Sequence, residues 1–87
     1  MPLMAAQEPS ALRIARVRHL AASGQAHQIR LDARLSRPEL AASVGVTDQS
    51  IMGWELGRRV PSGPHALVYL DLLDALVEFG GSGAPRG

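Results

Sequence analysis

Residues 35–58 read LSRPELAASVGVTDQSIMGWELGR, and this segment carries the clearest structural signals of the 87-residue chain. Its motif Ser36-Arg37-Pro38-Glu39 is a capping box, in which the serine and glutamate side chains each satisfy a free backbone amide at a helix start. Proline is tolerated there because first-turn amides have no partner within the helix. The pattern predicts a helix that begins at Arg37 and ends at Gly45, since glycine readily adopts the left-handed conformation that ends helices.

A second short helix is predicted after only three more residues. Thr47 can cap its start, and the helix covers residues 48–56. Two helices this close in sequence need a small residue where they nearly touch, a turn residue with positive φ, and apolar residues that hold both to the rest of the fold. The residues expected to pack the pair are Leu40, Ala41, Val44, Gly45, Ile51 and Trp54.

The rest of the chain is also predicted to be helical, so the expected fold is all-α, a compact bundle of about five helices. Ser10 can cap a helix that ends at Gly24, and a second helical stretch over residues 25–33 follows either a break or a kink at that glycine. Pro61 and Gly63 predict a basic loop before a last helix.

The predicted organisation is a single helical domain with unstructured ends. The expected segments are a flexible N-terminus at 1–9, a domain at 10–79 with an extra helix at 10–23, a two-helix core at 24–63 and a last helix at 64–79, and a disordered tail at 80–87.

Composition excludes several classes of protein. The chain has no cysteine, hence no disulfide framework and no thiolate metal site. It has no long apolar run and no secretion signal near Met1, so we expect a cytoplasmic protein that does not bind membranes. His19, His27 and His65 are scattered without ligand spacing or a nucleophile and acid nearby, so we expect neither catalysis nor a metal or other cofactor.

Several short motifs of the chain occur together in one family of DNA-binding proteins. Leu-Ser at 35–36, Glu-Leu-Ala at 39–41, Val-Gly-Val-Thr at 44–47 and Trp-Glu-x-Gly-Arg-x-x-Pro-Ser at 54–62 resemble the lambda-repressor/Cro (Xre) helix-turn-helix family. The resemblance covers about residues 24–79. It implies a transcription regulator, a repressor or Cro-like protein of a phage or mobile element, that places its second helix in the major groove of double-stranded DNA. It also implies a homodimer on a near-palindromic operator.

The resemblance assigns roles to individual residues. It places base contacts on Asp48, Gln49, Met52 and Gly53, and phosphate contacts on Arg37, Thr47, Ser50, Arg58 and Arg59. Gln49 is the strongest candidate for base readout, because its amide can pair bidentately with adenine. Asp48 is explained equally well as a partner of the helix dipole, and Met52 as an exposed thioether. The alternative for the three arginines is that they are ordinary surface residues without a role in DNA binding.

Two residues depart from the pattern of the family. Gly53 stands where members often carry a longer polar side chain, so readout by that end of the helix should be reduced. Glycine within a helix costs about 1 kcal/mol of stability relative to alanine. Either this cost is tolerated, or glycine is needed because another group approaches the helix closely at this point. We favour the close approach. Arg34 stands where the family usually has glycine, so that helix should end differently.

Charged residues are unevenly distributed although the formal net charge is only +1. Arginines dominate residues 13–37, whereas acidic residues crowd the C-terminal quarter, so we expect an electrically polarised molecule or simply two solvated helix faces. Arg13, Arg16 and Arg18 lie outside the motif and form either an extra DNA-contacting arm or a solvated face.

The last helix carries more apolar residues than one core requires. They cover an arc of roughly 200°, against the roughly 100° upward that packing on a single core uses. The excess indicates either a subunit interface or a face covered by the N-terminal helix of the same chain. The candidates for the interface are Tyr69, Leu72, Leu73 and Leu76.

Two other functions fit the same sequence. One is an antitoxin that binds a toxin as its protein partner and autoregulates its operon. The other is an architectural or excision factor that bends DNA at recombination sites.

Overall fold

A computed structural model describes residues 9–80, and helices are the regular structure of this range. The five helices in chain order are α1 (Ser10–Ala22), α2 (Gln25–Asp32), α3 (Arg37–Val44), α4 (Asp48–Glu55) and α5 (Gly63–Gly80). The predicted all-α bundle is confirmed. The predicted flexible N-terminus and disordered tail lie outside the described residues, except that Pro9 caps α1 and Gly80 belongs to α5.

The first two helices are separate, and α1 begins one residue earlier than predicted. The carbonyl of Pro9 accepts hydrogen bonds from the amides of Leu12 and Arg13 at 3.0 and 3.1 Å, so Ser10 is already helical and provides no side-chain cap. The serine-cap prediction was wrong because the residue before it already supplies the carbonyl that begins the helix. Gly24, with φ of 87°, then interrupts the helical conformation between α1 and α2.

An arginine in the left-handed conformation ends α2. Arg34 has φ of 62°, and the hydrogen bonds Arg34 N to Leu31 O (3.0 Å) and Leu35 N to Arg30 O (3.2 Å) close the helix end. These two bonds form a Schellman-type helix end, in which the left-handed residue is usually glycine. The helix ends at Asp32, one residue before the predicted end.

The two short helices form at the predicted positions, and α4 ends at Glu55, one residue before its predicted end. The Ser36 amide donates to Glu39 Oε1 at 2.9 Å and the Glu39 amide donates to Ser36 Oγ at 3.1 Å, which completes the capping box. Gly45, with φ of 91°, ends α3, and Thr47 Oγ1 accepts from the Ser50 amide at the start of α4. The three-residue turn between the helices is therefore fixed by a hydrogen-bonded cap on either side.

The core lies between α5 and the other helices, and α5 contacts α1, α2 and α3. Helices α1 and α5 run in the same direction. Arg13 of α1 pairs with Asp71 of α5, and Arg16, three residues later, pairs with Asp74, also three residues later. The six packing residues predicted for the helix pair are buried except Gly45, which is exposed in the turn. The residues that form this core are Val17, Ala21, Ala26, Leu40, Ala41, Val44, Ile51, Trp54, Ala66, Tyr69, Leu70 and Leu73.

The loop between α4 and α5 is attached to the body of the protein at two points. Gly57, with φ of 77°, ends the α4 turn, and the Gly57 amide donates to the Trp54 carbonyl at 3.2 Å. Pro61 is fully buried, and its carbonyl accepts a hydrogen bond of 2.9 Å from Arg18 Nε. The loop backbone is therefore held between α4 and α1.

Candidate nucleic-acid interface

The candidate interface is the outward face of α4 together with the residues at its two ends. Ile51 and Trp54 are buried and hold the helix on the core, while Gln49 is exposed and Met52 is half-buried. Residues four apart share one helix face, so Gln49 and Gly53 lie on one stripe of α4. The structure thus leaves the amide of Gln49 accessible to a ligand.

The start of α4 is occupied by contacts within the chain. Thr47 Oγ1 accepts from the Ser50 amide at 3.1 Å and donates to Ser50 Oγ at 3.0 Å. Arg37 Nε lies 3.3 Å from Asp48 Oδ1, an ion pair without hydrogen-bond geometry that links the starts of α3 and α4. Arg37 thereby offsets the carboxylate that would repel an anionic ligand at this position.

Gly53 does not present its own surface to a ligand, so its assignment as a base contact was wrong. The residue is buried, and a Cβ atom built on it would lie 2.8 Å from Cδ and 3.0 Å from Cγ of Arg59. The side chain of Arg59 therefore lies directly over the helix at this point. The expected close approach is confirmed, and the approaching group is an arginine side chain of the following loop.

Two arginines that follow α4 are exposed. Their amides, those of Arg58 and Arg59, both donate to the Gly53 carbonyl, at 2.9 and 3.1 Å, which fixes the backbone that carries them. Neither side chain takes part in an ion pair within residues 9–80. Their charges are therefore available to an anionic partner.

A buried ion pair supports α4 from behind, and the sequence did not predict it. Arg30 donates from Nε to Glu55 Oε2 at 2.6 Å and from Nη2 to Oε1 at 3.0 Å, while its Nη1 donates to the Leu35 carbonyl at 2.8 Å. The hydrogen bond with Glu55 raises the pKa of Arg30. One signal was present in the sequence: Arg30 follows the buried Ala26 by four residues, so both share the inward face of α2.

The N-terminal arginines make contacts within the chain. Arg13 pairs with Asp71, Arg16 Nη2 lies 3.4 Å from Asp74 Oδ1, and Arg18 binds the loop carbonyl. The basic charges of α1 and the acidic charges of α5, which the sequence places far apart, thus partly neutralise each other where the two helices meet. These three residues hold α5 and the loop onto α1.

Two of the four predicted interface residues belong to the core of the chain. Tyr69 and Leu73 are fully buried, and the Tyr69 ring packs on Trp54 with centroids 4.9 Å apart. Burial raises the pKa of the Tyr69 hydroxyl well above its ordinary value of 10.0. These two assignments were wrong because α5 packs against α1, α2 and α3, and its Tyr69 against Trp54 of α4, so both side chains are inside the chain's own core. Leu72 and Leu76 remain half-buried.

A second apolar stripe of α5 is largely exposed and borders the core at Leu72. Val68 is 43% exposed and Phe79 is 84% exposed, with the half-buried Leu72 and the exposed Ala75 between them. The spacing of these four residues is four, three and four. This spacing places them on one face of the helix.

Other kinds of site find little support in the described part of the chain. No helix of residues 9–80 combines the length and apolar character that crossing a bilayer requires. Within the same range, no three histidine or acidic side chains come together as metal ligands.

Comparison with protein-family models, curated proteins and solved structures finds no match for this chain. The resemblance to the lambda-repressor/Cro family therefore rests on the motifs alone.

Proposed function

We propose that this protein is a sequence-specific regulator of transcription that binds double-stranded DNA. In this proposal α4 enters the major groove, α3 lies across the DNA backbone, and two copies bind the two halves of a near-palindromic operator. The observation that carries the proposal is the exposed Gln49 on α4, beside Arg58 and Arg59, which form no ion pair within residues 9–80.

The way α4 is held supports a role in recognition. Base readout requires a helix whose position is fixed by its own protein, because small displacements misalign hydrogen bonds to base edges. Four contacts fix α4: the Thr47 cap, the Arg37–Asp48 ion pair, the buried side chains of Ile51 and Trp54, and the Arg30–Glu55 pair. Within the described residues, none of these four contacts involves Gln49 on the outward face.

The distribution of charge near α4 supports an anionic ligand. Exposed arginines without carboxylate partners attract phosphates and can bind them bidentately. Asp48, the acidic residue at the start of the helix, is offset by Arg37. The net charge of +1 therefore understates the positive charge of this end of the protein.

The dimer in the proposal uses the exposed stripe of α5, namely Val68, Leu72, Ala75 and Phe79. A spacing of four, three and four is the pattern with which identical helices pack along a shared seam. A twofold interface needs only one self-complementary patch, so a second copy of the chain is the natural occupant. Leu76, half-buried at the edge of the stripe, belongs to the same contact.

Selection of bound sequences from a random duplex pool, with the oligomeric state followed by sedimentation in the same buffer, tests the proposal. We expect an enriched inverted repeat, bound by a dimer. Salt-sensitive binding to all duplexes without enrichment would instead indicate an architectural protein. Absence of binding would favour a protein partner such as a toxin. Either of these results would overturn the proposal.

A further inference from the structure

We propose that Arg59, carried by the loop after α4, is a specificity-determining residue that reads guanine in the place where Gly53 has no side chain. The inference rests on the proposed function and changes the expected role of Arg59 from a phosphate contact to a base contact. It also predicts one feature of the operator, a G·C pair in each half-site.

The close approach between the two residues is the first observation. Cδ and Cγ of Arg59 lie only 2.8 and 3.0 Å from the position that a Cβ of Gly53 would occupy. Any larger residue at position 53 would therefore displace the Arg59 side chain. The side chain of Arg59 lies where a side chain of residue 53 would otherwise begin.

The second observation is that Gly53 and Gln49 share one face of α4. Gly53 follows the exposed Gln49 by four residues, so both lie on the same face of the helix. If Gln49 reaches base edges, a side chain that starts above Gly53 reaches the base pairs next to them. An arginine there can donate two parallel hydrogen bonds to O6 and N7 of guanine, the commonest specific contact in the major groove.

The anchoring of the loop is the third observation. The Gly53 carbonyl accepts from the amides of Arg58 and Arg59, and the buried Pro61 holds the other end of the loop through its hydrogen bond with Arg18. The backbone of Arg59 is therefore fixed before DNA arrives. A fixed backbone reduces the conformational entropy that an arginine loses when it binds a base.

The available charge is the fourth observation. Arg59 is exposed and takes no part in an ion pair within the described residues. Binding a base therefore breaks no ion pair of Arg59 with a carboxylate of residues 9–80. Arg58, its neighbour in the loop, is also exposed and forms no ion pair in that range, but the three atoms nearest to a Cβ of Gly53 all belong to the Arg59 side chain. Arg58 is therefore the matched control.

The experiment is sequence selection from a random duplex pool with the wild type, Arg59→Ala, Gly53→Ala and Arg58→Ala. We expect the wild type to require guanine at one position of each half-site, and both Arg59→Ala and Gly53→Ala to lose that requirement. Arg59→Ala should weaken binding to the selected duplex by about 5-fold to 150-fold, the range of one bidentate base contact. On a duplex in which that base pair is changed, Arg59→Ala should bind nearly as well as the wild type.

Arg58→Ala should keep the selected sequence and bind every duplex more weakly. Thermal unfolding of each variant, followed by circular dichroism, checks that the fold is retained.

Two results would overturn the inference and leave the proposed function intact. One is that Arg59→Ala still requires guanine. The other is that Arg59→Ala loses equal affinity on all duplexes, which would make Arg59 a phosphate contact. A wild type that enriches no sequence would remove the proposed function, and the inference with it.

Discussion

Arg30 and Glu55 form a bidentate ion pair, with N–O distances of 2.6 and 3.0 Å, that joins α2 to the last residue of α4. Arg30 is 8% exposed, and a third hydrogen bond from its Nη1 reaches the Leu35 carbonyl at the turn before α3. One guanidinium therefore connects α2, the following turn and α4. Because it fixes the end of the helix that we propose enters DNA, the pair couples the stability of the fold to recognition.

Glu55→Ala should lower the free energy of unfolding by about 3–5 kcal/mol, because it leaves a buried guanidinium without its counter-ion. This is a large fraction of the roughly 5–15 kcal/mol that stabilises a typical domain. Chemical denaturation measures the change. Glu78→Ala, which removes an exposed carboxylate from α5, is the control and should stay within about 0.5 kcal/mol of the wild type. Equal effects of the two variants would show that the pair contributes nothing.

Arg34→Gly should stabilise the protein. Arg34 has φ of 62°, a conformation that costs an L-residue about 1–2 kcal/mol, whereas glycine adopts it freely. Part of this gain is offset because glycine is more flexible in the unfolded chain, so we expect a net increase of up to about 1 kcal/mol in denaturation experiments. Arg34→Ala retains the strain and should show no such gain. A decrease in stability for Arg34→Gly would mean that the arginine side chain itself holds the turn.

The capping box should make stability depend on acidic pH. Hydrogen bonds from the Ser36 amide and hydroxyl favour the carboxylate and lower the pKa of Glu39 below its ordinary value of 4.5. This contribution to stability is complete above the unfolded pKa and is lost as the pH falls through the folded one. Glu39→Gln keeps an acceptor for the Ser36 amide but does not titrate.

The melting temperature of wild type should therefore fall further between about pH 6 and pH 3 than that of Glu39→Gln. Glu78→Gln is the control for removing an exposed carboxylate, and its decrease should match that of the wild type. Identical decreases in wild type and Glu39→Gln would exclude the capping box as a source of pH dependence.

Leu73→Glu and Phe79→Glu should separate the core of α5 from its exposed stripe. Leu73 is fully buried, so a carboxylate there should unfold the protein. Phe79 is 84% exposed, so its substitution should retain the fold and shift the proposed dimer to monomers. Circular dichroism and sedimentation velocity measure the two effects. A Phe79→Glu variant that sediments like the wild type would exclude the stripe as the interface.

The sequence predicted the helices best where their ends carry specific hydrogen-bonding residues. Ser36 with Glu39, Gly45 and Thr47 each perform a local function that depends on few neighbours, and the structure places α3 and α4 where these residues predict. The start of α1 was misplaced because Ser10 and Pro9 compete as caps, and the side-chain preference alone does not decide between them. Boundaries are local, but they depend on which of two adjacent carbonyls begins the helix.

The contacts between distant residues were not predictable in the same way. Helical periodicity gives the apolar face of α5 but not the element that covers it, so Tyr69 and Leu73 were assigned to an interface although they form the core. The pairs Arg30–Glu55 and Arg13–Asp71 join residues far apart in sequence. Their partners follow only from the packing of the helices. Gly53 is an intermediate case, because its cost within a helix predicted a close approach but not that Arg59 makes it.

The most direct measurement compares wild type and Gln49→Ala on the selected duplex and on a duplex of scrambled sequence, with Gln28→Ala, an exposed glutamine of α2, as the control. If α4 reads base edges through Gln49, Gln49→Ala should lose about 1–3 kcal/mol on the selected duplex and almost nothing on the scrambled one. Gln28→Ala should match the wild type on both. Equal losses for Gln49→Ala on the two duplexes would contradict base readout by α4.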